Sequence, residues 1–94
     1  MKNIDLEKQL LEIIQAWNLD AQTVAQLSRY DIALKLDLFT LYKLVSNIFQ
    51  KTEDQSSWIE NHMFFENKTV LEVIKNHPKM IKTLNEKLER IMNP

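Results

Sequence analysis

The chain contains no glycine, no cysteine and only two prolines among its 94 residues. Phosphate-cradling loops and dinucleotide-binding turns need glycine so that the backbone can approach phosphate closely, and nucleotide enzymes of those classes drop out. Hairpin turns draw on Gly or Asn at positive φ, so an all-β fold is not expected. Without cysteine there is no disulfide framework, no thiol nucleophile and no Cys-ligated zinc or iron–sulfur site, which fits a reducing cytoplasm. No stretch approaches the ~20 apolar residues that a bilayer-spanning helix needs. The opening Met1-Lys2-Asn3-Ile4-Asp5 carries acid at once, where a secretory signal needs a basic start and an apolar run. A cytoplasmic protein with no membrane partner is therefore expected.

An excess of one charge sign is missing as well. Net charge is −1, and bases and acids are mixed in both halves. Nonspecific affinity for nucleic acid comes mostly from cations that displace counterions along phosphates, so only a local patch could supply it here. What the chain does have is 45% hydrophobic and 27% charged residues, enough apolar material for one small core spanning 1–94 and too much for disorder.

Its periodicity is helical. Leu6, Leu10, Ile13, Ile14 and Trp17 share one face of a helix over about 4–17. Asp20 is a good N-cap for a second helix over 21–28, in which Val24, Ala25 and Leu27 form a short stripe and small Ala21 and Ala25 allow close approach to helix one. Leu34, Leu38, Leu41, Val45 and Ile48 form the seam of a third helix over about 30–50. Leu36, Phe39, Tyr42, Leu44 and Phe49 widen that stripe and mark this helix as central, with a break or continuity near 36–38 left open. Thr52 and Gln55 have capping-box spacing for a short helix over 53–61. Residues 62–68 read as a loop with Met63, Phe64 and Phe65 in a row. Thr69 and Glu72 form a second capping box for a helix over about 70–75. Pro78 favours a helix start and pushes His77 out of α, so a last helix runs over 78–92 with Ile81, Leu84, Leu88 and Ile91 inward. The expected fold is all-α, a compact bundle of about six helices.

Chemistry is hard to find. His62 and His77 lack an i, i+4 histidine or a carboxylate at a recognised ligand spacing, so no metal is expected. Ser28, Ser46, Ser56 and Ser57 have no local base to activate them. Glu60 and Glu66 are the sort of carboxylate pair that chance supplies in an acid-rich chain. No cofactor and no catalytic residue are assigned. Lys75, Lys79 and Lys82 at i, i+4 and i+7 form the one basic patch, either a solvated face or a partner surface. Trp17 reads as core. Trp58 with Phe64 and Phe65 reads either as a second small core or as the large rigid anchors that dominate protein interfaces.

From residue 41 the order Leu41-Tyr42-Lys43-Leu44, Ile48-Phe49, Trp58-Ile59, Phe65-x-Asn67-Lys68-Thr69-Val70-Leu71-Glu72-Val73-Ile74 and Leu88-x-Arg90-Ile91 resembles the toxin-binding domain of the Xre/MbcA/ParS-like antitoxins. The resemblance covers about 39–92. Upstream, Ile13-Ile14-Gln15-Ala16-Trp17-Asn18-Leu19 followed by Val24-Ala25-Gln26-Leu27 is similar to the opening of that family's helix-turn-helix, which makes 1–38 a shortened version of it. The helix that would read base edges has no counterpart, since Leu27 reaches Leu41 in fourteen residues, so DNA binding is not carried over. Asn67 stands where the family often has Gly, and Val70 where it often has Pro. Asn tolerates positive φ better than most residues.

The resemblance implies a non-enzymatic antitoxin that binds and neutralises a cognate RES-type toxin through its C-terminal half. It implies partner-binding roles for Trp58, Asn61, Phe65, Lys68 and Arg90. A small DNA-binding transcriptional regulator, or an orphan protein-interaction module, remains the alternative. A homodimer is compatible with each of these readings, given the broad apolar surface of helix three.

Overall fold

The computed structural model describes residues 6–65 and 67–92, with the backbone alone at 6, 7, 64 and 65. It is a small all-α domain. Helix α1 (Leu6–Trp17) buries Leu10, Ile13, Ala16 and Trp17, as its spacing requires; the residues before Leu6 in the expected range lie outside the described ones. It ends at Asn18, whose φ of 52° takes the left-handed conformation. The Leu19 amide then donates to the Ile14 carbonyl at 3.2 Å, which satisfies one of the orphan carbonyls of the last turn.

Asp20 caps α2 (Ala21–Ser28) as expected, accepting from the Thr23 amide at 2.7 Å. The buried side chains of α2 are Thr23 and Leu27, whereas Ala21 and Ala25 are exposed. Close packing on α1 through the two alanines is thus overturned. Its polar side is instead tied to a later helix: Gln26 Nε2 donates to the Lys75 carbonyl, and the Tyr30 hydroxyl just after α2 donates to the Ile74 carbonyl at 2.5 Å. Burial pushes the Tyr30 phenol above its ordinary pKa, so it stays a donor across the neutral range.

The third helix, α3 (Ile32–Ile48), runs unbroken through 36–38. Asp31 caps it by accepting from the Leu34 amide at 2.9 Å. Leu38, Leu41 and Val45 of the expected seam are buried, together with Phe39 and Leu44. Leu34 is half-buried, and Ile48 at the last turn is largely exposed. The central position holds, with α6 and α1 packed on two sides of α3.

Helix α4 (Thr52–Asn61) starts without a side-chain cap on Lys51, so the capping box expected at Thr52 and Gln55 does not form. Gln55 is buried and employed elsewhere: its Oε1 accepts from Trp17 Nε1 at 3.1 Å and its Nε2 donates to the Phe49 carbonyl at 2.8 Å. An indole N–H sealed in a core must find an acceptor, and that demand outranks a solvent-side cap. Ser56 Oγ adds a bond to the Trp17 carbonyl at 3.1 Å, fastening α1 to α4.

Residues 62–68, expected to be a loop, contain instead a small antiparallel hairpin of β1 (Met63–Phe65) and β2 (Lys68–Thr69), pairing Met63 with Thr69 and Phe65 with Lys68. Asn67 supplies the positive φ, at 60°, that a glycine would otherwise provide. Thr69 then caps α5 (Val70–Asn76) as expected, its hydroxyl accepting from the Glu72 amide at 3.1 Å. His77 leaves the helical region at φ −136° and ψ 57°, and Pro78–Met80 make a 3-10 turn that leads into α6 (Ile81–Met92).

Ile81, Leu84 and Leu88 of α6 are buried against α3. Ile91, expected inward, is 67% exposed in the last turn of α6, although it stands on the same side of the helix as Leu84 and Leu88. Among the described residues no helix is long and apolar enough to cross a membrane.

Asn85 is the polar exception on the buried face of α6. Its Nδ2 donates to the Asp37 carbonyl at 2.9 Å, while its buried Oδ1 has no partner among the described residues. An unsatisfied buried acceptor costs about 1–3 kcal/mol, and a mid-helix carbonyl such as that of Asp37 already serves the helix ladder. Asn85→Leu is therefore expected to raise the melting temperature by about 4–8 °C, the shift that ~1 kcal/mol produces in a domain of this size. A lower melting temperature in a calorimetric scan would show that the amide is needed.

Candidate functional site

Helix α4 carries Trp58, the first of the aromatic residues singled out by the sequence; the side chains of Phe64 and Phe65 lie outside the described residues. Ile59 is fully buried and anchors the helix. Trp58, one position earlier, is half-buried, with its inner edge tilted against Phe49 at 6.1 Å between ring centroids. Its outer side is met by His62, one helical turn on, whose imidazole stacks on the indole at 5.0 Å with the planes 20° apart. Both readings of Trp58 thus have a physical basis, since one part packs on the core and another joins a flat two-ring surface.

That surface continues into the hairpin. The His62 carbonyl accepts from the Val70 amide at 3.2 Å, which closes the base of the hairpin against the end of α4. Met63 projects at 61% exposure, and Lys68 on β2 is half-buried. Asn61 is exposed but folded back on its own helix, its Nδ2 donating to the Ser57 carbonyl at 2.9 Å. The backbone of Phe65 lies in β1, whereas its side chain lies outside the described residues. Arg90 is exposed on the last turn of α6, a helix that packs chiefly on α3. Trp58, Asn61 and Lys68 are therefore carried by α4 and the strand packed on it, while Arg90 sits on a different layer of the bundle.

A polar cleft of about 450 Å³ runs along α4 from Thr52 to Asn61 beside the end of α1, with Glu53, Glu60, Ser56 and Asn18 on its walls. Ser56 Oγ is engaged by the Trp17 carbonyl and approaches Glu60 Oε2 at 3.4 Å. Among the described residues no three His, Cys, Asp or Glu side chains gather as a metal site would need.

Sequence reasoning treated His62 as a loop residue and missed its stacking. The signal was available: position 62 stands four after Trp58, and residues at that separation share a helix face. It also treated Lys75 only as one member of a basic patch. Lys75 is half-buried and close enough to Asp20 to act on its carboxyl.

The Asp20 carboxyl is held below the usual carboxylate range, first by its hydrogen bonds from Thr23 and then by the Lys75 ammonium. A carboxylate whose folded pKa is depressed stabilises the fold above its unfolded pKa and loses that contribution as pH falls through the folded value. Asp20→Asn keeps a capping oxygen but cannot titrate. The native chain should therefore be the more stable of the two at neutral pH, and the gap should close between about pH 5 and pH 2. Melting curves across that range check this, and a gap that stays constant would contradict it.

No protein-family model matches the chain, and no curated protein or solved structure is found to be similar to it.

Proposed function

We propose that the chain is an antitoxin-like binding domain that neutralises a cognate toxin of the RES type, doing no chemistry of its own and working in the cytoplasm. The observation that carries this reading is the half-buried Trp58 with His62 stacked on it, beside a hairpin whose Met63 projects into solvent. Large aromatic anchors held rigid by their own core and open on one side are the residues that dominate protein interfaces. Asn61, Phe65 and Lys68 belong to the same end of the molecule by position. Arg90 enters the reading as a second, separate contact.

The DNA-binding alternative draws less support. The helix that follows α2 is α3, whose exposed positions 32, 33, 36, 40, 43, 47 and 48 carry one cation, Lys43, little to hold phosphate. The experiment is recovery of the tagged chain from its own cells under a high-salt wash, with mass spectrometry of what stays bound. One neighbouring-gene protein at comparable amount is the expected result. Recovery of the chain alone, together with salt-sensitive binding to its own promoter, would replace this reading by the regulator.

A further inference from the structure

Segment 20–30 carries α2 between two turns, and its own backbone hydrogen bonds close within it: the Val24 amide donates to Asp20, Arg29 to Gln26 and Tyr30 to Leu27. The buried side chains of α2 are Thr23 and Leu27, so a single apolar residue is fully sealed. The other ties are polar and converge on the last turn of α5. Gln26 Nε2 donates to the Lys75 carbonyl, and the Tyr30 hydroxyl donates to the Ile74 carbonyl at 2.5 Å while standing 3.3 Å from Gln26 Nε2. Lys75 in turn attracts the Asp20 carboxylate.

The carbonyls of a helix's last turn have no donor within the helix. In α5 the His77 amide serves that of Val73, and the next two, Ile74 and Lys75, are served by segment 20–30. Both bonds are only part-buried, so water can take either partner once the segment lifts. A hydrogen bond exchanged for one to water is worth about two- to tenfold in an equilibrium. The ends of the segment, moreover, turn without undoing their neighbours. Asn18 already has the left-handed conformation, and the Leu19 amide closes α1. Asp31 caps α3 from its own side, while Asp20 caps α2 from within the segment. Helix α2 can therefore move intact and leave both adjoining helix ends satisfied.

We propose that segment 20–30 is a hinged strap, which opens as one unit about 18–19 and 31 while the other helices stay packed, and that Gln26 and Tyr30 on the end of α5 are its catch. In the open form Leu27 and the apolar seat it fills meet water, so the strap controls access to that part of the core. The strap does not depend on the antitoxin reading.

The test is native-state hydrogen exchange, followed by NMR on the full chain at neutral pH and at several guanidinium concentrations below the unfolding transition. Corrected for intrinsic rates, the amides of 24–28 should exchange at least about tenfold faster than those of Leu41 and Leu84, with one shared denaturant dependence smaller than that of global unfolding. Tyr30→Phe and Gln26→Ala should each speed exchange of 24–28 by about a further two- to tenfold. Ile59 is fully buried on α4. Ile59→Val should speed Leu41 and Leu84 by about two- to tenfold and leave 24–28 unchanged, because its contacts persist whether the strap is open or closed. Unchanged circular dichroism confirms that each variant stays folded. Equal protection of 24–28 and Leu41 in the native chain would overturn the proposal, as would Ile59→Val speeding both sets alike. So would exchange of 24–28 without denaturant dependence, the mark of single bonds fraying, or rates that neither Tyr30→Phe nor Gln26→Ala changes.

Discussion

Trp17→Ala lowers the unfolding free energy by about 3–5 kcal/mol in a denaturant titration, the range for deleting a large aromatic from a packed core. The site gives every reason for the upper part of that range. Trp17 is fully buried and meets Tyr42 edge-on at 5.9 Å, so truncation opens a cavity lined by α1, α3 and α4. It also strands Gln55, whose buried Oε1 then loses its only indole donor. A domain of this size has about 5–15 kcal/mol to lose, so the variant should sit close to the unfolding threshold at 25 °C. Trp17→Phe separates the two contributions: it retains most of the volume and removes the N–H, and should cost about 1–3 kcal/mol, the penalty of one orphaned buried partner. A loss below 1 kcal/mol in Trp17→Ala would mean that the core relaxes around this position.

Trp58→Ala should act on binding far more than on folding. Interface anchors of this type cost about 2–4 kcal/mol when truncated, a weakening of Kd by about thirtyfold to a thousandfold. Because Trp58 also packs against Phe49, some loss of stability accompanies it, and the measurement must be read beside a control. His62→Ala serves, since it removes the outer stacked ring and leaves Trp58 on its core contact. Calorimetric titration of the captured partner should rank Trp58→Ala as the most damaging, His62→Ala as intermediate, and Arg90→Ala as smaller and additive, as expected of a contact on a separate layer. Partner affinity unchanged in Trp58→Ala would remove the aromatic end of α4 from the interface.

The helical skeleton was legible because apolar spacing and caps said the same thing. Leu10, Ile13 and Trp17, or Leu38, Leu41 and Val45, recur at the helical period, and Asp20 and Thr69 stand at the starts they cap. Strands of two and three residues are too short to display a period of two, so the hairpin at 63–69 was invisible to pattern, although the tolerance of Asn67 for positive φ was legible. Spacing states which side of a helix is apolar but not how far its neighbours extend, which is why Ile48 and Ile91 were placed inward and are exposed in terminal turns. Gln55 has the spacing of a capping residue and a tertiary partner that no local rule can name. Of the positions expected from the resemblance to bind a partner, Trp58, Asn61 and Lys68 were close in sequence and remain close by element. Arg90 was linked to them by resemblance alone, and its helix packs chiefly on α3.

The bonds from Gln26 and Tyr30 to the end of α5 join residues 49 and 44 positions apart, and this sets an order on synthesis. At the ribosomal pace of ~5–20 residues per second, α2 is synthesised about 2–10 s before the carbonyls it serves exist. During that interval Gln26 and Tyr30 lack their acceptors, and Trp17 waits in the same way for Gln55. The nascent amino-terminal helices are thus a period of exposed apolar surface, open to proteases and to holdase chaperones. Folding completes only when the carboxy-terminal third arrives, so a truncated product from a stalled ribosome would be cleared rather than accumulate as a half-folded fragment.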